Sequence, residues 1–408
     1  MVLAVLVLVG LPVWLALRLQ PIPPGLQFSP AAFSSLPGWR SADLTAARLA
    51  VTESCGRILD WPDDRPLPGA LVSGIGGRVR DWREACLAIV SAPDGNDALR
   101  QAFERYFRPY AVSRAGSHTG LFTGYYEAFL DGSFERGGPY QVPLYGRPGD
   151  LISVNLGDFR TDLKGRRIAG RLNGTRLVPY DDRRAIRDGA LAGRDLELVW
   201  VDDPVDAFFL HIQGSGRVRL PDGRIVRVGY AGQNGHAYRG IGRLLVDRGE
   251  IPPDALSMQT IRAWLRDNGD KAEALMAENA SFVFFHMPRP QEGAAPPAGP
   301  YGSAGVPLTA GHSLAVDRRH LPLHVPLWLD TSHPDPDDRA APPVPMRRLM
   351  VAQDTGGAIR GEIRGDVFWG FGDRAEEIAG RMANRGRYWL LLPARLDPSA
   401  PDTAQSGP

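Results

Sequence analysis

The chain of 408 residues reads as an α+β protein, mainly β with flanking helices. Three observations predict that class. Glycine (47 residues) and proline (36) are both abundant, as in a chain that turns often. From Gly120 to about Tyr230 there are short β-branched and aromatic runs, broken by Gly, Asp-Gly and Asn-Gly pairs. Helical periodicity is confined largely to Ala42–Phe107 and to the residues after Tyr238. A chain of this length exceeds one ordinary core and predicts roughly two or three domains.

The elements follow in order. Met1 to Leu17 is uncharged and nearly all Val, Leu, Ala, Trp and Gly; Arg18, Pro21, Pro23 and Pro24 follow. Residues 1–24 therefore read as an export segment, either a cleaved signal or a retained anchor, although no basic residue precedes the apolar run. It offers no cysteine for lipid attachment. The next helices carry Leu44, Leu49 and Val51 ahead of Cys55, then Trp82, Ala85, Leu87, Ala88 and Ile89 around Cys86. Leu99, Phe103 and Phe107, spaced by four, mark a third. Cys55 and Cys86 are the only cysteines; in an exported chain they form a disulfide or stay as two buried thiols, and nothing around them has metal-ligand spacing.

Arg217–Leu220, Pro221-Asp222-Gly223 and Arg224–Val228 alternate with period two about a turn, which predicts a hairpin. Ile241, Leu244 and Leu245, then Met258, Ile261 and Leu265, form two apolar helical stripes. Ser281–Met287 is a buried strand by composition, and residues 288–304, rich in Pro, Gly and Ala, a surface loop. Further strands are expected at Ser313–Val316, Pro326–Leu329, Leu349–Ala352 and Val367–Trp369, with a polar loop over Thr331–Pro345. Asp373 and Glu376 are spaced as a capping box for one more helix, and Gly386 is placed to end it. Tyr388–Leu392 is a closing strand, and a disordered tail follows.

Charge and motifs exclude several functions. Forty-seven Lys+Arg against 46 Asp+Glu leave a formal +1, which argues against nucleic acid as a partner. Lysine stands only at 164 and 271, an arginine bias attributed to base composition. His320 and His324 are four apart, but Leu321-Pro322 between them forbids a zinc-binding helix face. Gly214-Ser215-Gly216 lacks the preceding glycine of a nucleophile elbow, and Gly74, Gly76 and Gly77 lack the strand–turn–helix unit of a dinucleotide site. No metal or cofactor is expected.

What remains are polar residues flanked by glycine at expected strand ends: Phe122–Glu127, Phe209–Gly216, Tyr230–Asn234, Gln353–Gly357 and Gly361–Asp366. Aromatic faces beside amides and hydroxyls suit a neutral sugar polymer. Thr123, Tyr125, Tyr126, Gln213, Ser215 and Asn234 are the candidate substrate-binding residues. Asp317, Asp354 and Asp366 each sit beside an apolar strand, where a partly desolvated carboxyl keeps its proton and can act as a general acid.

Five strings carry a resemblance over about residues 40–393: GLFTGYYEA (120–128), FFLHIQGSGRVRL (208–220), SFVFF (281–285), SLAVD (313–317) and LMVAQDTGGAIRGEIRGDVFWGFGDRAEEIAGRM (349–382). With them the sequence resembles the membrane-bound lytic murein transglycosylase A family. The resemblance implies a double-psi β-barrel domain with a second, smaller β-barrel domain inserted in it and a groove between. On this chain the main domain would take residues 40–127 and 241–396, the insert 128–240, and the tail 397–408. The implied activity is non-hydrolytic cleavage of the β-1,4 bond between N-acetylmuramic acid and N-acetylglucosamine in peptidoglycan, leaving a 1,6-anhydro ring. The family's three characteristic aspartates fall on Asp317, Asp354 and Asp366, with Asp366 the catalytic acid and the other two in supporting or orienting roles. Peptidoglycan strands are the implied ligand, cell-wall synthases or scaffold proteins the kind of partner, and the Gram-negative periplasm the location. Where family members usually carry a glycine after the Pro-Leu pair 322–323, this chain has His324. Two other readings stay open: a hydrolase using both Asp354 and Asp366, and a peptidoglycan-binding module without catalysis.

Overall fold

The structure, a computed structural model, describes residues 25–69, 75–163, 166–288 and 299–398. The expected export segment, most of the loop expected at 288–304 and most of the tail lie outside the described residues.

Helices Arg48–Leu59, Val79–Val90 and Asn96–Tyr106 form the N-terminal layer, with Ile58, Trp82, Ile89, Leu99 and Phe103 buried in the largest core. Cys55 and Cys86 are joined as a disulfide between the first two, their Cα atoms 4.9 Å apart. The chain then enters strand Phe107–Ser113 and the long strand Gly120–Ser133, on which the whole fold turns.

The first half of that long strand belongs to a closed ring of six strands. It pairs in parallel with Arg364–Phe371 and antiparallel with Ala383–Pro393. The ring continues from Ala383–Pro393 to Pro326–His333 and Val344–Asp354, then to Ser313–Val316, which returns to Arg364–Phe371. Val316, Leu327, Leu349, Val351, Val367 and Leu390 are buried in its core. Closure leaves no free edge in the ring.

The second half of the same strand builds a second ring. From Ala128 to Asp131 it pairs with Gly216–Arg219, and at Gly132 and Ser133 with Glu197–Val201. Gly216–Arg219 forms the expected hairpin with Ile225–Gln233, which pairs with Val283–His286. A bridge from Phe285 to Gly146, next to strand Val142–Tyr145, closes the circle back to Glu197–Val201. The expected boundary at 240 therefore divides the second ring, because Val283–His286 lies beyond it and supplies a strand. A three-stranded sheet, Ile152–Asn155, Arg167–Asn173 and Arg176–Pro179, stands apart from both rings.

Three local expectations are corrected. Phe209–Gly216 is not a strand end, because Pro204–Gln213 is a helix. Asp203 caps it by accepting from the amides of Val205 and Asp206, Pro204 opens it, and Gly214 ends it at φ 81°. Its near-continuous apolar run imitates a strand because two cores claim it: Ala207 and Leu210 pack into the second ring, Val205, Phe208 and Phe209 into a separate helical cluster. Asp373 is the first residue of helix Asp373–Arg381 rather than its cap, which is Gly372. Gly386 lies inside strand Ala383–Pro393, where a Cβ would meet the Thr331 side chain at 2.6 Å; close approach, not helix termination, requires it.

His324 adopts φ 70°, the left-handed region that glycine takes without strain. It is buried edge-on against Trp61, and burial followed by the charges of Arg57 and Arg65 lowers its pKa to about 4.

Candidate active site

Register places the carboxylates. Ala315, on strand Ser313–Val316, is paired with Asp366 on one side and Asp354 on the other. The two aspartates are thus held at one level of the first ring, two strands apart, with an apolar cluster of Tyr125, Leu308, Ala315, Ile359 and Phe368 between and around them. Burial in that cluster raises both pKa values, and the charge of Asp354 further raises that of Asp366.

Their hydrogen bonding differs sharply. Asp354 accepts from the Ser303 amide (2.9 Å), the Ser303 hydroxyl (2.8 Å), the Thr355 amide (2.8 Å) and the Tyr125 hydroxyl (3.0 Å). Asp366 accepts one side-chain bond among the described residues, from the Thr123 hydroxyl at 2.6 Å, all on Oδ1. Thr123 is set opposite Asp366 by the parallel pairing, and its oxygen accepts in turn from Arg364 Nη2 at 2.7 Å. Arg364 and Thr123 both favour ionised Asp366, but burial outweighs them and the net shift is upward. The result is a carboxyl that holds its proton at higher pH than usual, with Oδ2 free of side-chain partners among the described residues. Tyr125 remains a phenol and a donor, since burial and then the charge of Asp354 push its pKa well above the ordinary value.

Asp317 does different work. Burial alone would raise its pKa, but hydrogen bonds from Arg319 and from the Gly361 amide (2.9 Å) bring it to about 2. It is a fixed anion that fastens the loop leading into strand Arg364–Phe371.

The expected sugar-binding residues divide. Thr123 and Tyr125 reach the two carboxylates. Tyr126 is buried on the other side of the strand, its hydroxyl accepting from Arg262 at 3.1 Å and its amide donating to Gln213 Oε1 at 3.1 Å. Gln213 thereby ties the helix end to the shared strand, and Ser215 follows in the turn before Gly216–Arg219. Asn234 is fully buried and lines no groove: it donates to the carbonyls of Asp181 (3.0 Å) and Ala280 (2.9 Å) and accepts from the Phe282 amide (2.9 Å). Its polar type next to glycine imitated a binding residue; its chemistry closes a turn of the second ring.

Two participants were not singled out in the sequence. Arg364 stands two residues before Asp366, and period-two alternation would have placed both on one face of the strand. Ser303 has no local signal, since it sits in the Pro/Gly/Ala-rich stretch and meets Asp354 only through the fold. Beneath them Gln353, fully buried, donates to the Ala50 carbonyl (2.8 Å) and the Ser54 hydroxyl (2.9 Å), docking helix Arg48–Leu59 on the ring.

Comparison with known proteins agrees with this architecture. Residues 121–286 match the MltA specific insert domain, and residues 312–392 match the 3D domain. The first of these spans the second ring, Val283–His286 included. Membrane-bound lytic murein transglycosylase A of Escherichia coli K12 is 34% identical over 275 residues, 67% of this chain and 66% of that protein. The chain thus matches just under two thirds of that relative's length. The crystal structure of a membrane-bound lytic murein transglycosylase from Agrobacterium tumefaciens superposes with a TM-score of 0.77 at 33% identity, covering 91% of this chain and 98% of that one. E. coli MltA with bound chitohexaose gives a TM-score of 0.63 at 27% identity over 91% and 95% of the two chains. Shared fold, shared insert and shared barrel domain together make this chain a member of the membrane-bound lytic murein transglycosylase A family.

Proposed function

We propose that the protein is a peptidoglycan lytic transglycosylase that cleaves the β-1,4 bond between N-acetylmuramic acid and N-acetylglucosamine, with Asp366 acting first as acid and then as base. The observation that carries this reading is the unequal hydrogen bonding of the two carboxylates. Asp354 is saturated by four donors, so it is a poor base for activating water. Asp366 has a raised pKa and, among the described residues, one side-chain partner, Thr123, which leaves the other oxygen for the substrate. The binding of chitohexaose, a β-1,4 sugar polymer, by the E. coli relative supports a glycan ligand.

Protonated Asp366 donates its proton to the glycosidic oxygen as the bond to C1 breaks. The N-acetylglucosamine end leaves as an alcohol, and positive charge develops at C1. Ionised Asp366 then takes the proton from the C6 hydroxyl of the same muramic acid, whose oxygen closes onto C1. The proton balance is restored with no water consumed. An internal hydroxyl has a high effective molarity, so one carboxylate suffices. Thr123, donating to Oδ1 throughout, keeps the carboxyl aimed and limits the cost of its charge between the two steps.

We place this activity in the periplasm of a Gram-negative bacterium, in cell-wall turnover, with residues 1–17 as anchor or signal. The six-stranded ring with two parallel pairings supports assignment as a double-psi barrel. Clearing of purified sacculi tests the acid: Asp366→Asn should lower the rate at least about a thousandfold. Clearing at the parental rate would reject Asp366.

A further inference from the structure

Beyond the reacting centre, the pairing of strands Gly120–Ser133 and Arg364–Phe371 continues as a lane of facing side chains. Thr123 is opposite Asp366, Tyr125 opposite Phe368 and Glu127 opposite Phe371. Residues paired across neighbouring strands share a face, as do alternate residues of one strand. The first pair is joined by its 2.6 Å hydrogen bond and the second by ring contact, with centroids 5.3 Å apart. Simple alternation would put Phe371 on the opposite face from Phe368. A bulge between them, with Gly370 at φ 90°, adds one residue and returns the Phe371 ring to the face of the acid.

The third pair is organised by Arg217. The Glu127 side chain is 1% exposed; its Oε2 accepts from Arg217 Nε at 2.8 Å, and Arg227 Nε lies 3.2 Å from Oε1. A carboxylate buried this deeply is tolerated only when paired, so it fixes its arginine in turn. Held there, the Arg217 guanidinium lies over the Phe371 ring, its carbon 3.5 Å from the centroid. Phe371 is nevertheless 53% exposed, so the other face and the edge of the ring meet solvent. The Nη atoms of Arg217 have no hydrogen-bond partner among the described residues and are not enclosed, so they stand open beside the ring. Phe129, two residues beyond Glu127 and paired with Arg217, continues the same face and is also exposed.

A half-exposed phenylalanine alone is ordinary. An open aromatic face flanked by fixed N–H donors and in line with the acid is a built surface. It matches a sugar ring, whose C–H groups lie on the aromatic face while a hydroxyl or acetamide oxygen accepts from the guanidinium. Thr123 and Glu127 are four residues apart on one strand, roughly 13 Å at 3.3 Å per residue. That distance passes the two sugars joined by the bond that breaks. We propose that Phe371, backed by Arg217 and Glu127, is a stacking site for an N-acetylated sugar of the glycan beyond those two, by which the protein grips long strands. This rests on the transglycosylase reading and adds to it a binding site remote from the acid.

Binding tests it without turnover. Chitohexaose, a short chain of β-1,4-linked N-acetylglucosamine, is titrated into the Asp366→Asn protein and into the same protein carrying a change at Phe371. Phe371→Ala and Phe371→Leu should each weaken binding at least about ten-fold, and Phe371→Trp should stay within about two-fold of the phenylalanine. The introduced indole also reports contact. Its fluorescence, taken as the difference from the phenylalanine protein, should shift to the blue at saturation, which a merely structural role would not produce. Binding by Phe371→Ala or Phe371→Leu within about two-fold, or an indole emission unmoved at saturation, overturns the stacking site and leaves the glycan reading standing. Failure of the Asp366→Asn protein itself to bind chitohexaose overturns both.

Discussion

Thr123 and Asp366 face each other across a parallel strand pair, and the threonine hydroxyl donates to the carboxylate at 2.6 Å. Thr123 stands on the one strand shared by both rings, so the acid is oriented by the element that joins them.

Removing that donor should have a signed effect. The Thr123 bond favours ionised Asp366, so Thr123→Val should raise the Asp366 pKa further. Since bond breaking needs the protonated acid, the alkaline limb of kcat/KM should move to higher pH. The rate below that limb should fall about ten- to a hundredfold, as expected for a lost hydrogen bond of about 1.5–3 kcal/mol to a charged group. A pH–rate profile on soluble glycan strands measures both.

Asp354→Asn should move the same limb the other way. The charge of Asp354 raises the Asp366 pKa, so withdrawing it should lower that pKa and shift the alkaline limb to lower pH. The asparagine oxygen can still accept from Ser303 and Thr355, so we expect a loss of roughly ten- to a hundredfold, well short of that for Asp366→Asn. Equal losses for the two variants would speak for a two-carboxylate mechanism.

The sequence made these residues legible unevenly, for physical reasons. Strands such as Ser313–Val316 and the 217–228 hairpin showed through their alternation, and Thr123, Tyr125, Asp354 and Asp366 stood out as polar residues beside apolar strands. Helix Pro204–Gln213 was obscured because it is apolar on two faces, although Asp203-Pro204 and Gly214 signal its ends. Asn234 and Tyr126 misled because a side chain that satisfies a buried backbone and one that greets a ligand have the same chemistry; only burial tells them apart. Ser303 depends on a contact 51 residues away in the chain, which no local pattern encodes.

Asn234→Ala should therefore affect stability and not chemistry. It strands the Phe282 amide and two carbonyls in a fully buried site. A loss of about 3 kcal/mol in urea unfolding is expected, with kcat/KM of the folded protein within about two-fold of the parent.

Opening the Cys55–Cys86 disulfide should act in the same way. The bond closes a loop with a sequence separation of 31. Loop-closure entropy then gives about 4 kcal/mol, so reductant should lower the urea midpoint markedly while activity below the transition persists.

The chemistry of the product tests the central claim most directly. Mass spectrometry of muropeptides released from purified sacculi should show 1,6-anhydro ends, lighter by one water than the products of hydrolysis, and none from Asp366→Asn. Reducing ends that carry the added water, or anhydro ends made equally well by Asp366→Asn, would contradict the single-carboxylate account.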